Sequence, residues 1–432
     1  MKRCVLIGIG MGQTARLSQE ASEAIQKAPL VAGSERMLSA VDSLIHGKKH
    51  AVYESQKIAA AFSAYADSEE IPCGLFSGDT GFFSGAGALR SLLEADGWQV
   101  RLIPGIATPQ YFAACLGESW QDWHLVSVHG RDCNLGIALS YAPKTFFLTG
   151  GGITVSSIAR FLIDHDIQAT LHVGSRLGYD YSDGQGVNVS GGKAIPAENA
   201  FETIFSATPQ QVLSRTDYDE RLSCLLVSRN MPNLPHGALP DDFFIRNAAE
   251  SDGQKIVPMT KRFVRGAILS LLSVNDGETV WDIGGGTGAV SVDIAHNAHC
   301  AVHAVEEKDY ACNLIRQNRK KAAAVNLSIH CGHAPEALAD LPIPDAVFVG
   351  GSQGQLEAIL RIVHQKNPRA RIVVSCLTLE TLSELQSLAP VLNLDYEVAQ
   401  LSVSQSKKVG SCHLMQAQNP VYLLLLSPLM PA

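Results

Sequence analysis

No part of the sequence is a run of about 18 apolar residues, the length needed for a membrane-spanning helix, so no membrane partner is expected. The ten cysteines nowhere form a C-x-x-C pair. The opening MKRCVLIGIGMGQ has two basic residues and then an apolar stretch, but glycines interrupt that stretch at once. This indicates a strand and its loop rather than a signal peptide. We therefore expect reduced thiols and a cytoplasmic protein.

Positive charge is also scarce. The chain has 34 lysines and arginines against 42 aspartates and glutamates, which gives a formal net charge of -8. Binding to nucleic acid needs clustered basic residues that neutralise phosphates, so we expect no nucleic-acid partner. A small polyanionic ligand needs only a local basic pocket, and the composition does not exclude such a ligand.

The length of 432 residues predicts two or three domains. Strand-like apolar runs at residues 5–9 and 278–283 are each followed by glycines and then by a helical pattern, as at the start of an α/β domain. Between them, residues 229–237 are rich in Pro, Asn and Gly, which is typical of a linker. We predict a first domain over residues 1–230, a linker and lead-in over 231–258, and a second domain over 259–432.

The second half alternates strands and helices, which predicts right-handed crossovers and a mostly parallel sheet. The predicted strands cover residues 279–283, 301–305, 327–331, 346–349 and 372–375, with two late strands near 396–402 and 421–426. The predicted helices cover residues 261–272, 289–295, 309–321, 336–339, 356–364 and 379–387.

A glycine-rich loop, Asp282-Ile283-Gly284-Gly285-Gly286-Thr287-Gly288, joins the first of these strands to a helix. Glycines allow a tight turn and a close approach of the backbone to a ligand, and Gly284, Gly286 and Gly288 are the predicted cofactor-binding glycines. A dinucleotide site would favour G-x-G-x-x-G, whereas here the third glycine comes one residue earlier and Asp282 precedes the loop. That carboxylate can meet the ammonium of a methionine moiety.

Glu306 ends the next predicted strand, where its carboxylate can accept both ribose hydroxyls of a nucleoside. The glycine loop and this acid together are typical of class I S-adenosylmethionine methyltransferases, and a glycine turn without a ligand is the alternative. His333 and Ala334 follow the third strand, where many such enzymes have an acidic residue that contacts adenine. We therefore predict that His333 and Ala334 line the adenine site.

Three glycine clusters of the first half each follow a strand-like run, at residues 8–12, 77–81 and 104–108. Each cluster alone is compatible with an ordinary turn. Together they predict a backbone-lined cleft for a small polar ligand at the carboxyl edge of a sheet. The predicted cofactor-binding residues of this half are Gly8, Gly10, Gly12, Gly78, Asp79, Gly81, Gly105, Ala107 and Thr108.

The first half resembles the tetrapyrrole (corrin/porphyrin) methylase family. The motifs that carry this resemblance are GIGMG, GSER at 33–36, SGDTGFFSGAG, IPGIAT and VHGR at 128–131. The family's usual prolines are replaced by Met11 and Thr80. From about residue 240 the chain resembles the decarboxylating precorrin methyltransferases, through TKR at 260–262, Val264-Arg265, DIGGGTGAVSVDIA, APEAL, VGGS at 349–352 and QAQNPV at 416–421.

The resemblance implies an α/β chain in which a two-lobed tetrapyrrole methylase domain precedes a Rossmann-like class I methyltransferase domain. It implies cobalamin biosynthesis, with a precorrin-6B or cobalt-precorrin-6B type of corrin precursor as substrate and S-adenosylmethionine as methyl donor. The first domain would methylate carbon 5. The second would methylate carbon 15 and remove carbon dioxide from the acetate on carbon 12. Related domains also imply a homo-oligomer.

A methyl sulfonium is already a strong electrophile, so each site mainly has to align two reactants, and no strong catalytic base is expected. Basic side chains are then the candidates for binding the substrate's carboxylates. They are Lys261, Arg262 and Arg265 before the glycine loop, Lys407 and Lys408 in a loop between the late strands, and Arg36 and Arg131 in the first domain. Ser352 and Ser375, at strand ends, could bond substrate or cap a helix. For each basic residue a solvated surface charge is the alternative.

The spacing of His296, His299, Cys300 and His303 could suit zinc. The segment runs from a helix end through a loop into a buried strand, so the four side chains should diverge, and we expect no metal site. Two rival functions remain at this stage. One is a class I methyltransferase on RNA or another metabolite, fused to a ligand-binding domain. The other is a binding protein that retains a cofactor fold without catalysis.

Overall fold

A computed structural model describes residues 2–178, 202–250 and 253–428 of the chain. The chain divides into two compact units. The first unit comprises Met1–Asp132, Lys144–Phe161 and Ala169–Ser228, and the second comprises Cys133–Pro143, Leu162–Gln168 and Arg229–Ala432. Within the described residues, no helix has the length and apolar character needed to cross a membrane.

The first lobe of the first unit is a five-stranded parallel sheet in the order β3-β2-β4-β1-β5. Strand β1 is buried on both sides because Leu6 and Ile7 point to opposite faces of the sheet, and each face is covered by its own apolar cluster. The strands are β1 (Arg3–Gly8), β2 (Leu30–Gly33), β3 (Lys48–Ala51), β4 (Cys73–Phe76) and β5 (Gln99–Ile103). The helices are α1 (Gln19–Lys27), α2 (Glu35–Ala40), α3 (Ser55–Phe62), α4 (Ala86–Ala95) and α5 (Thr108–Leu116).

The second lobe of the first unit is a mixed five-stranded sheet in the order β6-β7-β10-β8-β9. Strands β6 and β7 are parallel, and the other neighbours are antiparallel. The strands are β6 (His124–Ser127), β7 (Lys144–Leu148), β8 (Thr170–Ser175), β9 (Thr203–Ala207) and β10 (Ser223–Ser228). This stretch of the chain also contains the helices α6 (Leu135–Ser140), α7 (Val155–Asp164) and α8 (Pro209–Ser214).

The second unit is built on a seven-stranded sheet in the order β15-β14-β13-β16-β17-β21-β18, parallel except for β21. Its strands are β13 (Thr279–Ile283), β14 (Ala301–Glu306), β15 (Leu327–Cys331), β16 (Ala346–Val349), β17 (Arg371–Cys376), β18 (Leu394–Leu401) and β21 (Val421–Pro428). Its main helices are α9 (Arg262–Leu272), α10 (Ala289–Asn297), α11 (Asp309–Ala322), α12 (Leu356–Lys366) and α13 (Leu379–Val391). Two hairpins are separate from the sheet: β11 (Asn247–Glu250) with β12 (Gly253–Ile256), and β19 (Ser404–Val409) with β20 (Cys412–Ala417).

Alternation of side chains along β13, an interior strand of this sheet, separates two cores. Val280 packs on one face with residues of α9, α10 and α11, and Trp281 packs on the other face with residues of α12 and α13. The result is the three-layer α/β/α arrangement expected of a Rossmann-like class I methyltransferase, so the predicted fold class is confirmed.

Two local expectations for the second half were wrong. Lys407 and Lys408 lie in β19 of a hairpin rather than in a loop. Every residue of that strand is exposed, so it lacks the alternation of apolar side chains by which a strand is predicted. The predicted helix at residues 336–339 is a single 3-10 turn, Glu336–Leu338.

Arg265 of α9 is fully buried in the second unit. Its guanidinium donates to the carboxylate of Asp293 at 2.7 Å, to that of Asp241 at 2.8 Å and to the carbonyl of Thr260 at 2.5 Å, and it also bonds the carbonyl of Leu239. These bonds commit its positive charge to partners inside the unit. The expectation that Arg265 binds substrate carboxylates is therefore corrected, because no face of the side chain is open to a ligand.

Replacing Arg265 by alanine should destabilise the second unit by roughly 3–5 kcal/mol, because it leaves the fully buried Asp293 carboxylate without its countercharge. Urea unfolding followed by tryptophan fluorescence measures the loss. Arg361→Ala is the matched control, since Arg361 forms an exposed pair with Glu357 and its loss should cost less than about 1 kcal/mol. Equal midpoints for the two variants would contradict the structural role assigned to Arg265.

Candidate active site

The glycine-rich loop between β13 and α10 has a backbone that other residues rarely adopt. Gly284, Gly286 and Gly288 have φ of +77°, +56° and +77°. A Cβ on Gly284 would lie 2.7 Å from the carbonyl oxygen of Gly351, and one on Gly288 would lie 2.8 Å from the side chain of Ile315. Conformation and space therefore both require glycine at these two positions.

Glu306, at the end of β14, fixes this loop. Its side chain is buried, and its two carboxylate oxygens accept hydrogen bonds from the amides of Gly286 at 2.8 Å and Lys308 at 3.0 Å. The carbonyl of Val305 beside it accepts from Gly284 at 2.9 Å and from Gly285 at 3.1 Å. Each carboxylate oxygen has a further lone pair, so Glu306 can hold the loop and still accept a hydroxyl from a ligand.

Asp282 is the last residue but one of β13, directly before the glycine loop. One carboxylate oxygen accepts a hydrogen bond from the hydroxyl of Ser291, and the other is buried without a hydrogen-bond partner. Burial raises the pKa of Asp282 to about 6, and the nearby charge of Glu306 acts in the same direction. Buried polar atoms are normally hydrogen-bonded, so an unpartnered acceptor beside a cleft is a candidate to accept a hydrogen bond from a ligand.

A cleft of about 910 Å³ opens at this carboxyl edge of the sheet. This volume is at the upper end of the range for small-molecule sites and suits a nucleoside cofactor together with part of a larger substrate. Its floor is formed by the glycine loop, Asp282 and Glu306, and its upper part by hairpin residues of β19 and β20. Apolar side chains complete the wall: Val257, Met259, Val264, Val290, Phe348, Leu377 and Val421.

Three lysines line the cleft: Lys261, Lys308 and Lys407. Two of them are sequence candidates, whereas Lys308 was missed. The signal that could have found it is its position two residues after the strand-end acid Glu306. Ser375 also lines the cleft, together with the amides of Gln405, Gln416, Gln418 and Asn419.

Two other sequence candidates lie elsewhere. Lys408 follows Lys407 in β19 but does not line the cleft, and Arg262 donates to the carbonyl of Ala238 at 2.9 Å. For these two side chains the expected contact with substrate is not supported by their positions.

A small cavity of about 40 Å³ adjoins Glu306 and is lined by His333, Ala334 and Ser352. His333 and Ala334, the residues predicted to line the adenine site, thus lie beside Glu306. His333 contacts the carboxylate of Glu336 at 3.1 Å. Gln353 also lines this cavity, and its side-chain amide donates to the carboxylate of Glu307 at 2.6 Å.

The glycine clusters of the first unit meet at the carboxyl ends of β1, β4 and β5. The amides of Gly10 and Gly78 exchange hydrogen bonds of 3.0 and 2.9 Å with each other's carbonyls. A Cβ on Gly105 would lie 2.3 Å from the carbonyl oxygen of Gly78 and 2.5 Å from that of Gly8. Gly8 and Gly105 are thus required for loop-to-loop packing, a reason that the sequence pattern alone did not distinguish from ligand approach.

Asp79 ties these loops together. Its carboxylate accepts hydrogen bonds from the amides of Gly81 at 2.7 Å and Gly105 at 3.2 Å. The amide of Ala107 is capped by the side chain of Gln110 at 2.9 Å at the start of α5, next to Thr108. The predicted cofactor residues of this half therefore share one edge of the first lobe.

The second lobe of the first unit approaches the same edge. The side chain of Gln13 donates to the carbonyl of Gly178 at 2.5 Å, and Tyr111 donates to the carboxylate of Glu202 at 2.7 Å. These contacts were not predicted, since nothing in the sequence relates residues so far apart. Of the basic candidates, Arg36 is half-buried in α2, and the guanidinium of Arg131 lies 6.0 Å from the ring centre of Phe83.

The four residues with zinc-like spacing diverge. His296 contacts the carbonyl of Pro235 at 3.0 Å, Cys300 is buried in the core, and His303 contacts His330 of β15 at 3.0 Å. Among the residues that the structure describes, no three His, Cys, Asp or Glu side chains are arranged to hold a metal ion.

Comparison with known protein families agrees with this architecture. A family model described as Tetrapyrrole (Corrin/Porphyrin) Methylases matches residues 3–183, and a model described as Precorrin methyltransferase domain matches residues 247–427. With the two glycine-lined sheet edges, these matches define the chain as a tandem S-adenosylmethionine-dependent tetrapyrrole methyltransferase.

The precorrin-6Y C(5,15)-methyltransferase [decarboxylating] of Sinorhizobium sp is 30% identical over 379 residues, 86% of this chain and 84% of that protein. The chain belongs to this family of decarboxylating precorrin-6Y C(5,15)-methyltransferases. This membership decides against an RNA or general metabolite methyltransferase and against a binding protein without catalysis.

Two further relatives each match less than half of the chain. The cobalt-precorrin-6B C(15)-methyltransferase (decarboxylating) of Salmonella typhimurium is 32% identical over 189 residues, 43% of this chain and 94% of that protein. The crystal structure of a precorrin-6Y C5,15-methyltransferase from Geobacter metallireducens GS-15 is 32% identical, with a TM-score of 0.41. It covers 45% of this chain and 100% of the crystallised one.

Proposed function

We propose that the chain divides the reactions of its family between its two units. The first unit methylates carbon 5 of a precorrin-6B type of corrin precursor. The second methylates carbon 15 and decarboxylates the acetate on carbon 12. The observation that carries this division is the pair of glycine-built sheet edges, one in each unit, on two different folds. It is supported by the Salmonella C(15)-methyltransferase, which matches 43% of this chain over 94% of its own length, and by the precorrin methyltransferase model, which matches residues 247–427.

In the second unit the residues present fit S-adenosylmethionine, which supplies an electrophilic methyl group when bound. The unpartnered oxygen of Asp282 receives the methionine ammonium, and the free lone pairs of Glu306 accept the ribose hydroxyls. His333 and Ala334 line the adenine side. The positive φ of Gly284 and Gly286 lets the backbone reach the ligand without a side chain in between.

Corrin precursors carry several carboxylates, and Lys261, Lys308 and Lys407 line the cleft where such a ring would lie beside the methyl donor. Ion pairs between these lysines and the substrate carboxylates orient the macrocycle, and one ring carbon is thereby held in line with the methyl group of the donor. The apolar wall, which includes Phe348 and Leu377, solvates a carboxylate poorly. An acetate placed against that wall is destabilised as the anion, and its electrons can move into the conjugated ring as carbon dioxide leaves.

In the first unit Asp79 and the loops of Gly8, Gly78 and Gly105 form the corresponding seat, with Thr108 at the start of α5. Backbone groups of these loops bind the polar parts of the donor. The cytoplasmic location and the homo-oligomeric state remain predictions from the sequence.

The division is tested by blocking one unit at a time with Gly105→Ala or Gly284→Ala, since each added Cβ would collide with backbone atoms at 2.3 and 2.7 Å. The purified chain is incubated with precorrin-6B and S-adenosylmethionine, and the product is read by mass spectrometry. The parent should add two methyl groups and lose one carbon dioxide. The Gly105→Ala variant should add one methyl group and still remove carbon dioxide. The Gly284→Ala variant should add one methyl group and remove no carbon dioxide.

Gly87→Ala and Gly266→Ala are the matched controls, one in each unit, because a Cβ at either position meets no atom within 4 Å. Both should give the parent's product, and an equimolar mixture of the two blocked variants should restore it. Loss of carbon dioxide by the Gly284→Ala variant would contradict the assignment of decarboxylation to the second unit.

The pKa of Asp282, raised to about 6 by burial, predicts a pH-dependent affinity at the second site. Below that pH the carboxyl keeps its proton and offers the methionine ammonium no charge, so affinity should rise with pH. We expect binding about tenfold weaker at pH 5 than at pH 7, measured by calorimetry. Asp282→Asn should bind weakly with no such change. A parent-like pH profile in that variant would rule out Asp282 as the ammonium's partner.

The lysines are tested by Lys261→Met, Lys308→Met and Lys407→Met, which keep the aliphatic chain and remove the charge. Each should raise KM for the corrin substrate on the order of tenfold, the cost of one charged hydrogen bond, and leave KM for S-adenosylmethionine nearly unchanged. Lys408→Met, the next residue of β19, lies off the cleft and serves as control. An equal effect in all four variants would indicate a general electrostatic role instead.

A further inference from the structure

Two cysteines of the second unit converge beside Glu306. Cys331 ends β15 and is paired in register with Glu306 of β14. The thiol of Cys312, on α11, donates to the backbone carbonyl of Glu306 at 3.3 Å. The amide of Gly332, directly after Cys331, donates to the same Glu306 carbonyl at 2.9 Å. Both sulfurs therefore lie next to the residue that fixes the glycine loop.

The two thiols differ in access. Cys331 is exposed, and the guanidinium of Arg316 donates to its sulfur at 3.2 Å, so a cation is at hand when that sulfur carries negative charge. Cys312 is buried, and burial raises the pKa of its thiol. An oxidant in solution would thus react first with Cys331, and Cys312 would then act as the resolving thiol.

We propose that Cys312 and Cys331 form a reversible disulfide that weakens the cofactor site of the second unit. A peroxide takes the electron pair of the Cys331 thiolate, which becomes a sulfenic acid as hydroxide leaves. The Cys312 sulfur then attacks that sulfur and loses its proton, and water leaves. In sum two thiols and one hydrogen peroxide give one disulfide and two waters, and a dithiol reductant reverses the change.

The coupling to the cofactor site follows from what each sulfur contacts. The disulfide removes the S–H that donates to the carbonyl of Glu306, which also accepts from the amide of Gly332 at 2.9 Å. Drawing the two sulfurs together shifts the backbone on both sides of Glu306 and of the loop that carries His333. This consequence rests on the proposed binding role of Glu306, whereas formation of the disulfide does not.

A second pair of cysteines on neighbouring strands is placed differently. Cys4 and Cys73 lie on neighbouring strands β1 and β4, but their side chains belong to different apolar clusters. Cys115 of α5 is exposed, belongs to the first unit, and provides a control thiol of similar access.

The full chain is reduced, treated with a small excess of hydrogen peroxide, alkylated and digested with trypsin. Mass spectrometry should detect a cross-link of the two peptides that contain Cys312 and Cys331, which disappears after dithiothreitol. Calorimetry on the same samples should show that oxidation weakens binding of S-adenosylmethionine at one of two sites by tenfold or more. Cys331→Ser should form no cross-link and keep its own reduced-state affinities after peroxide, whereas Cys115→Ser should respond like the parent.

Oxidation of Cys331 to sulfinic acid without a cross-link would overturn the proposal, and so would a cross-link that leaves both affinities unchanged. Failure of the proposed function is seen separately, as fewer than two S-adenosylmethionine sites in the reduced parent.

Discussion

The hydrogen bonds from the backbone amides of Gly286 and Lys308 to the Glu306 carboxylate are the interaction on which the second site depends. Because glycine has no side chain, the backbone of a glycine-rich loop can approach a ligand closely. For the same reason the loop lacks the side-chain packing that would hold it in one conformation. A charged acceptor at the end of the neighbouring strand restores that order. The same carboxylate keeps lone pairs for a ligand, so in the proposed site one group both supports the loop and recognises the cofactor.

In the first unit, glycine-rich loops are also held in one conformation by a carboxylate, but by different residues on a different fold. Asp79 accepts the amides of Gly81 and Gly105, and the loops after β1, β4 and β5 approach so closely that a Cβ on Gly8 or Gly105 would collide with backbone. In both units an acid at a strand end orders glycine loops at the carboxyl edge of a parallel sheet. The folds differ, but the physical requirement of binding one polar donor against backbone is shared.

Much of the fold of the second unit and of its candidate site could be predicted from the sequence, because both depend on local sequence patterns. The limits of β13, β15 and β16 agree with the predicted ones, since each is a short segment rich in apolar side chains within a regular alternation of strands and helices. The positions of Asp282 and Glu306 beside the glycine loop could be predicted because both residues lie at the ends of strands that border the loop. Arg265 could not be assigned correctly, because its partners Asp241 and Asp293 are distant in sequence and only the fold brings them into contact. Lys308 and the β19–β20 hairpin were not predicted because prediction relies on alternating apolar and polar residues. Every residue of the hairpin strands is exposed, so that alternation is absent.

The role of Glu306 is tested most directly by a crystal structure of the full chain with S-adenosylhomocysteine. Both ribose hydroxyls should lie within hydrogen-bond distance of the Glu306 carboxylate while its bond to the Gly286 amide is kept. The ligand's ammonium should lie on Asp282. A nucleoside bound elsewhere in the cleft, or a Glu306 side chain turned away from the loop in the complex, would contradict this role.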